Sequence, residues 1–142
     1  MIVVDASVWV SHLLAQDVNH APSRRWLAGV VNEGEAIAVP GLLLAEVAGA
    51  VARRTADPQL GHRAAEHVSA TPGLRLVPGE PQLALAAAEL AADLQLRGPD
   101  AVYVAVAQRL NIPLVTWDRE QLARTAGVIA AYTPAQARQM DE

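Results

Sequence analysis

The sequence predicts an α/β fold in which a parallel sheet is covered by helices on both faces. Short apolar runs of three to five residues alternate with longer segments that have helical spacing, the order expected of β–α–β units. The runs contain no polar break, as in Ile2–Val4, which is typical of strands buried on both faces. No internal repeat or linker interrupts the alternation, so the 142 residues are expected to form one domain, 1–142.

The first half of the chain contains three predicted strands. Trp26, Leu27 and Val30 lie at helical spacing, and Pro40 followed by Gly41 is suited to end a strand and begin a helix. The predicted elements are a strand at Ile2–Val4, a helix after Asp5, a helix at His20–Val31, a strand at Ala36–Val39, helices at Leu42–Arg54 and Pro58–Ala70, and a strand at Leu74–Val77.

The second half continues the pattern with two more strands. Glycine and proline at Gly98 and Pro99 separate an alanine-rich helix from the next one. The predicted elements are helices at Glu80–Leu96 and Asp100–Leu110, a strand at Pro113–Thr116, a helix at Glu120–Thr125, a strand at Val128–Tyr132, and a helix after Pro134 that ends near Gln139.

Composition excludes several classes of protein. Hydrophobic residues make up 52% of the chain and aromatic residues 4%, so the core is expected to consist of Ala, Val and Leu. Without cysteine there is no disulfide framework or thiolate metal site. The apolar run near the start lacks a basic flank and is interrupted by Asp5, Ser7 and His12, which argues against a signal peptide. With no segment long enough to span a membrane, the expectation is a cytoplasmic protein.

Two aspartates directly follow predicted strands. Asp5 comes after Ile2–Val4, and Asp118 follows the strand that contains Leu114 and Val115. Side chains just past the carboxyl ends of parallel strands face the ligand crevice, so neighbouring strands would bring these carboxylates together. Helix capping is the alternative interpretation of both residues.

Two further carboxylates lie on predicted helices. Glu46 is the sole charge in an apolar helix before the pair Arg53-Arg54, and such a group needs a partner, a shifted pKa or a metal. Pairing with arginine is the alternative. Asp100 begins a helix, where the helix dipole alone favours an anion. If all four carboxylates converge, oxygen-only ligation of this kind suits Mg²⁺ or Mn²⁺, and the accompanying chemistry is metal-assisted phosphodiester hydrolysis.

The charge balance is compatible with a nucleic-acid substrate once a cation is included. The formal net charge is −4, and all 11 basic residues are arginine. Removing the four site carboxylates from 15 acidic residues leaves 11 against those 11 arginines. The pairs Arg24-Arg25 and Arg53-Arg54 could then hold phosphates, although solvated helix faces explain each pair as well.

Other chemistries lack their motifs. Receiver domains and phosphatases with an aspartyl nucleophile also have an aspartate after the first parallel strand. Both use a lysine near the phosphate, and this chain contains no lysine. There is no glycine-rich nucleotide loop and no G-x-S-x-G around Ser7. His62 and His67 are off the spacing of paired zinc ligands. These two, with His12 and His20, are expected to be exposed or hydrogen-bonded, and Asp93 to be solvated.

Four short segments, in order, resemble the motifs of PIN-domain proteins. They are Val3-Val4-Asp5-Ala-Ser7, Leu44-Ala45-Glu46-Val47, Asp100-Ala-Val-Tyr103-Val-Ala105 and Leu114-Val115-Thr116-Trp117-Asp118. The resemblance spans essentially the whole chain and is closest to the toxins of VapBC-type toxin–antitoxin pairs. Pro99, before the third acidic position, departs from the pattern of many relatives and affects where that helix begins.

The resemblance implies both a topology and an activity. It implies a three-layer α/β/α fold with a five-stranded parallel sheet in the order 3-2-1-4-5. It also implies a Mg²⁺- or Mn²⁺-dependent ribonuclease that forms a homodimer and is inhibited by a cognate antitoxin protein. Asp5, Glu46, Asp100 and Asp118 would be the catalytic and metal-binding residues, with Ser7 and Thr116 supporting them by hydrogen bonds.

A second function class remains open from the sequence. A PIN-like module could bind RNA or protein without cleavage, although the intact acidic quartet argues against this. An antitoxin would bind to exposed apolar helix faces. Trp9, Trp26 and the run Leu42–Leu44 are candidates for such contacts, and core packing explains them equally well.

Overall fold

A computed structural model describes residues 1–140, which form a five-stranded sheet and eight helices. All neighbouring strands are parallel, and the strand order is β3-β2-β1-β4-β5. The predicted fold class and strand order are therefore confirmed. The elements are β1 Ile2–Val4, α1 Ala6–Leu13, α2 His20–Asn32, β2 Ile37–Pro40, α3 Leu42–Thr55, α4 Pro58–Ser69, β3 Leu74–Val77, α5 Pro81–Leu94, α6 Gly98–Leu110, β4 Leu114–Val115, α7 Arg119–Arg124, β5 Ala131–Tyr132 and α8 Pro134–Met140.

β1 is the central strand and fixes the position of the candidate site. Val3 pairs with Ala38 on one side and with Leu114 on the other, and both Val3 and Val4 are fully buried. The chain winds outward from β1 through β2 to β3 and then returns to β4 on the opposite side. The winding therefore reverses between β1 and β4, and the crevice at this switch point lies at their carboxyl ends.

Several predicted boundaries were wrong by a few residues. β2 continues through Pro40, which is tolerated because β1 pairs with β2 at Ile37 and Ala38 and does not need the missing N–H. β5 is shorter than predicted because Val128 and Ile129 donate to the carbonyl of Thr125 and belong to a turn.

Helix α6 packs against the centre of the sheet with small side chains. Its buried residues are Ala101, Tyr103, Val104, Ala105, Val106 and Ala107, and it contacts β1, β2 and β4. It begins at Gly98 rather than at the predicted Asp100, because Pro99 is well suited to the first helical turn. Asp100 remains in that first turn, so the proline does not remove it from the helix start.

The aromatic and leucine candidates for antitoxin contact belong largely to the core. Trp9, Trp26 and Leu43 are buried, so core packing is the correct interpretation for these three. Leu42 and Leu44 are half-buried and pack against the same core. Within residues 1–140, no helix combines the length and hydropathy needed to cross a membrane.

Candidate functional site

Asp5 lies at the carboxyl end of β1 and caps helix α1. Its Oδ2 accepts a hydrogen bond from the Ser7 amide at 2.9 Å and one from the Thr116 hydroxyl at 3.3 Å. The side chain is buried, with 4% of the residue exposed. The two interpretations of Asp5 are thus compatible, since one carboxylate both caps the helix and faces the switch-point crevice.

The hydroxyls of Ser7 and Thr116 join the ends of β1 and β4. Their oxygens lie 3.3 Å apart. Ser7 Oγ accepts from the Trp117 amide at 3.1 Å, and Thr116 Oγ1 accepts from the Asp118 amide at 3.0 Å. These bonds hold the backbone that carries Asp118 next to Asp5, which is the geometry expected of supporting residues.

Asp118 and Asp100 are linked by a single arginine. Asp118 caps α7, with Oδ1 accepting from the amides of Glu120 at 2.9 Å and Gln121 at 3.0 Å. Its Oδ2 lies 3.4 Å from Arg97 Nη2, and Asp100 Oδ2 lies 3.3 Å from Arg97 Nε. One guanidinium therefore bridges carboxylates from α6 and from the end of β4.

Sequence reasoning missed this role of Arg97. Arg97 directly follows the predicted helix Glu80–Leu96, and it occupies the N-cap position of α6. The signal that could have identified it is its spacing, because a basic residue three positions before an acidic one shares a helix face with it. The Arg97 side chain is 75% exposed, so the pair is screened and free to rearrange.

Glu46 is held from across the site by Tyr103. The Tyr103 hydroxyl donates to Glu46 Oε1 at 2.8 Å. Tyr103 is fully buried on α6, and a buried phenol needs a hydrogen-bond partner. Tyr103 belongs to the third motif but was given no role from sequence. The bond brings α3 to the same hollow as α6.

Three of the four carboxylates have raised pKa values, for similar physical reasons. Burial raises the pKa of Asp5, opposed by hydrogen bonds from Ser7 and Thr116, and the charge of Asp118 raises it further. Burial also raises the pKa of Glu46 and of Asp100, with added repulsion from Asp5 in both cases. Since the charge of another member of the quartet raises the pKa of each of these three, Asp5, Glu46 and Asp100 share one electrostatic environment.

This donor set fits a hard divalent cation that retains water. All the candidate ligands are carboxylate oxygens, and their mutual repulsion marks uncompensated negative charge. Across residues 1–140, no group of three or more His, Cys, Asp or Glu side chains is arranged to hold one ion directly. An ion here would therefore combine one or two carboxylates with waters or substrate oxygens, as Mg²⁺ commonly does. Arg97 would also have to release its partners.

The histidines lie outside this site, and one differs from expectation. His20 Nδ1 is 3.0 Å from the Ser11 carbonyl oxygen, and His62 is exposed. His12 is half-buried, stacks on His67 with ring centroids 5.9 Å apart, and has a buried Nδ1 without a hydrogen-bond partner among the described residues. The expectation that all four would be exposed or hydrogen-bonded is thus wrong for His12.

The fold and the ordered motifs agree with a family assignment. The model of the PIN domain family matches residues 2–128, and the chain belongs to that family. No curated protein sequence is significantly similar to it.

Solved structures with the same fold include toxins of VapBC pairs. VapC20 of Mycobacterium tuberculosis, described as a Sarcin-Ricin loop cleaving toxin, is 25% identical with a TM-score of 0.72, over 89% of this chain and 95% of that one. VapBC-1 of nontypeable Haemophilus influenzae is 16% identical with a TM-score of 0.68, over 96% and 100%. A toxin–antitoxin complex of Klebsiella pneumoniae is 18% identical with a TM-score of 0.63, over 94% and 98%. The predicted resemblance to VapC-type PIN proteins is confirmed.

Proposed function

We propose that this chain is a Mg²⁺- or Mn²⁺-dependent ribonuclease, the toxin component of a type II toxin–antitoxin pair. The observation that carries the proposal is the convergence of Asp5, Glu46, Asp100 and Asp118, from four separate elements, at the switch point of the sheet. The likeness to VapC20, described as a toxin that cleaves the Sarcin-Ricin loop, supports RNA as the substrate class.

The hydrogen-bond network around the site gives each carboxylate a defined orientation. A bound divalent cation would supply an activated water and compensation for the charge that develops on the phosphate. Asp5 is fixed by Ser7 and Thr116, and Asp118 is fixed by the amides at the start of α7. Such fixed ligands need little rearrangement when a cation binds, which favours the pre-organised geometry that catalysis requires.

Glu46 is the residue best placed to accept a proton from the attacking water. Burial raises its pKa, and a carboxylate with a raised pKa is a stronger base near neutral pH. The hydrogen bond from Tyr103 fixes the carboxylate and opposes part of that rise. Asp100 and Asp118 would share the cation, and Arg97 would exchange its bonds to them for solvent or substrate.

The neighbouring structures also support a proposal about the partners of this chain. The similarity to VapBC and toxin–antitoxin structures supports a small antitoxin protein as an inhibitor. We also propose that residues 1–142 act as one PIN domain, that two copies form a homodimer, and that the protein works in the cytoplasm.

Cleavage of RNA by purified protein tests the proposal. Mixed RNAs are incubated with wild type, Asp5→Asn and Asp93→Asn, in Mg²⁺, Mn²⁺ or chelator. Asp93 is an exposed aspartate on α5, so it controls for the substitution itself. We expect metal-dependent cleavage by wild type and Asp93→Asn and at least a hundredfold loss in Asp5→Asn. RNA retention without products in any metal would instead favour the alternative, a PIN-like binding module.

A further inference from the structure

A polar cavity continues from the carboxylate site along helix α3. Its volume is about 590 Å³, and Ser7, Glu46 and Trp117 line the end that adjoins the site. Asp17, Asn19, Arg53 and Arg54 are the polar residues that line the rest. Because the cavity shares Ser7 and Glu46 with the carboxylate site, a substrate bound at the carboxylates would extend into it.

Gly49 allows Arg53 to lie along the wall of this cavity. A Cβ atom placed on Gly49 would be 3.0 Å from Arg53 Nη1, so the guanidinium lies back over the glycine. Glu46 precedes Gly49 on the same face of α3, and the Arg53 side chain is therefore directed toward the carboxylate site. A glycine inside a helix costs about 0.5–1 kcal/mol relative to alanine, and here it provides space for a cation.

The two neighbouring arginines differ in their partners. Arg54 Nη1 is 2.7 Å from Asp17 Oδ2, an ion pair that ties α3 to the loop between α1 and α2. Arg53 makes no ion pair with any carboxylate of residues 1–140. Arg53 therefore has a full positive charge available to a ligand, beside a site where four carboxylates repel a polyanion.

We propose that Arg53 binds a backbone phosphate of single-stranded RNA next to the bond that is cleaved. The inference rests on the ribonuclease function proposed above and adds a phosphate subsite to it. A guanidinium matches two phosphate oxygens. The guanidinium lies over Gly49, three positions from Glu46 on α3, which is ~4.5 Å along a helix, or about one nucleotide of a stacked strand. Its charge would offset repulsion between the RNA and the carboxylates.

RNA binding in a cleavage-deficient background tests the inference. A labelled pool of random 12-nucleotide single-stranded RNAs is titrated against Asp5→Asn protein with Mg²⁺, at several salt concentrations, with and without Arg53→Gln. The matched control is Arg75→Gln, an exposed arginine on the edge strand β3. We expect Arg53→Gln to weaken binding about five- to twentyfold and to reduce the salt slope by about 0.7, the value for one lost phosphate contact on a single strand. Arg75→Gln should change neither.

Two further variants distinguish the effect of the charge of Arg53 from the effect of its position. Arg53→Lys should retain the salt slope but lose part of the affinity, since an ammonium does not match two oxygens. Gly49→Ala should weaken RNA binding without lowering the melting temperature, because the added methyl displaces the guanidinium and favours the helix. If Arg53→Gln and Arg75→Gln bind RNA equally, the inference is overturned, and the cavity would instead be a site for contact with a protein partner.

The outcomes also distinguish this inference from the proposed function. If wild type cleaves RNA but Arg53→Gln has the same KM and kcat, the ribonuclease stands and the phosphate subsite fails. If the binding differences appear but wild type cleaves nothing, the subsite stands and the ribonuclease proposal fails. When both hold, Arg53→Gln should raise the KM for cleavage by a larger factor than it lowers kcat.

Discussion

The Tyr103 hydroxyl donates a hydrogen bond to Glu46 Oε1 over 2.8 Å, joining α6 to α3 across 57 residues of sequence. Tyr103 is fully buried, whereas Glu46 is partly exposed. The bond therefore fixes a carboxylate at the edge of the hollow to a rigid helix behind it. This arrangement gives Glu46 a stable orientation and keeps its pKa from rising as far as burial alone would raise it.

Tyr103→Phe tests the contribution of this bond. The substitution conserves the ring and removes the donor, so Glu46 loses a bond that stabilises its charged form. A hydrogen bond to a charged group contributes about 1.5–3 kcal/mol, and we expect kcat/KM for RNA cleavage to fall about ten- to a hundredfold. The acidic limb of the pH–rate profile should move to higher pH. An acidic limb at the same pH as in wild type would contradict the role assigned to Tyr103.

Asp5→Asn should lower the ribonuclease activity and raise the stability of the metal-free protein. The amide oxygen can still accept from the Ser7 amide and cap α1, but the buried charge is gone. We expect the metal-free variant to be more stable than wild type by about 1–2 kcal/mol at pH 7.5, since burying a charge is costly. Urea denaturation in chelator measures this difference, and Mg²⁺ should stabilise wild type more than the variant.

The same comparison has a defined pH dependence. The folded-state pKa of Asp5 is raised from its ordinary value of 3.8, so the folded state binds its proton more tightly than the unfolded state does. The loss of stability that comes from ionising buried Asp5 is fully present above its folded-state pKa and absent below its ordinary pKa. The stability gain of Asp5→Asn should therefore shrink as the pH falls toward 3.8. A gain that grows with acid would have the wrong sign.

His12 should make the protein sensitive to acid. Burial, with the nearby charges of His67, His20 and Arg24, lowers the pKa of His12 from 6.5 to about 4. Between pH 6.5 and pH 4 the unfolded chain binds a proton at His12 that the folded chain does not. The contribution of His12 to the free energy of unfolding is therefore fully present above pH 6.5 and is lost as the pH falls to 4. We expect a loss of about 1–2 kcal/mol, reduced for partial exposure.

Urea denaturation of His12→Leu between pH 7 and pH 4 measures this contribution. The variant should lose less stability with acid than wild type, because it has no group to protonate. His62→Leu, on the exposed side of α4, is the matched control and should follow wild type. Parallel curves for wild type and His12→Leu would rule out His12 as the source.

Arg97→Gln should strengthen metal binding. The Arg97 guanidinium pairs with Asp100 and Asp118 and therefore competes with any cation that these carboxylates bind. Exposed ion pairs contribute about 0.2–1 kcal/mol, so we expect Mn²⁺ to bind about two- to fivefold more tightly, as measured by calorimetry. Arg119→Gln, an exposed arginine at the start of α7, is the control. Weaker binding in Arg97→Gln would show that the arginine supports the site instead.

Gly61→Ala should destabilise the protein without direct contact with the carboxylates. A Cβ on Gly61 would lie 2.6 Å from the Ala48 carbonyl oxygen and 2.9 Å from the Ala52 Cβ. Helices α3 and α4 would have to separate, and overpacking of this kind costs about 1–3 kcal/mol. Thermal denaturation measures the loss. Gly29→Ala is the control, because no atom lies within 4 Å of its added Cβ, and it should be neutral or stabilising.

The sequence predicted the fold because its signals are local. Uninterrupted apolar runs such as Ile2–Val4 indicate buried parallel strands, and Pro40 with Gly41 marks the junction between β2 and α3. Strand order is not local, and it came from the motif resemblance rather than from periodicity. The start of β5 was misplaced because a turn that contains Gly127, at φ 84°, and the bonds from Val128 and Ile129 to the Thr125 carbonyl delays the strand to Ala131.

The site was predictable in its acidic residues and not in what surrounds them. Asp5 and Asp118 follow strands, so their position is a consequence of sheet geometry. Arg97 and Tyr103 act through partners 21 and 57 residues away, and such contacts exist only after the helices pack. The unpartnered Nδ1 of His12 is likewise a product of packing between α1 and α4, and periodicity carries no signal for it.

An anomalous difference map from crystals grown with Mn²⁺ tests most directly whether the four carboxylates bind a cation. If the carboxylates form a cation site, a manganese peak should lie in the hollow bordered by Asp5, Asp100 and Asp118, with the Arg97 guanidinium displaced from both of its partners. A map at saturating Mn²⁺ that shows no peak there, with Arg97 still bridging Asp100 and Asp118, would contradict a cation site at these carboxylates.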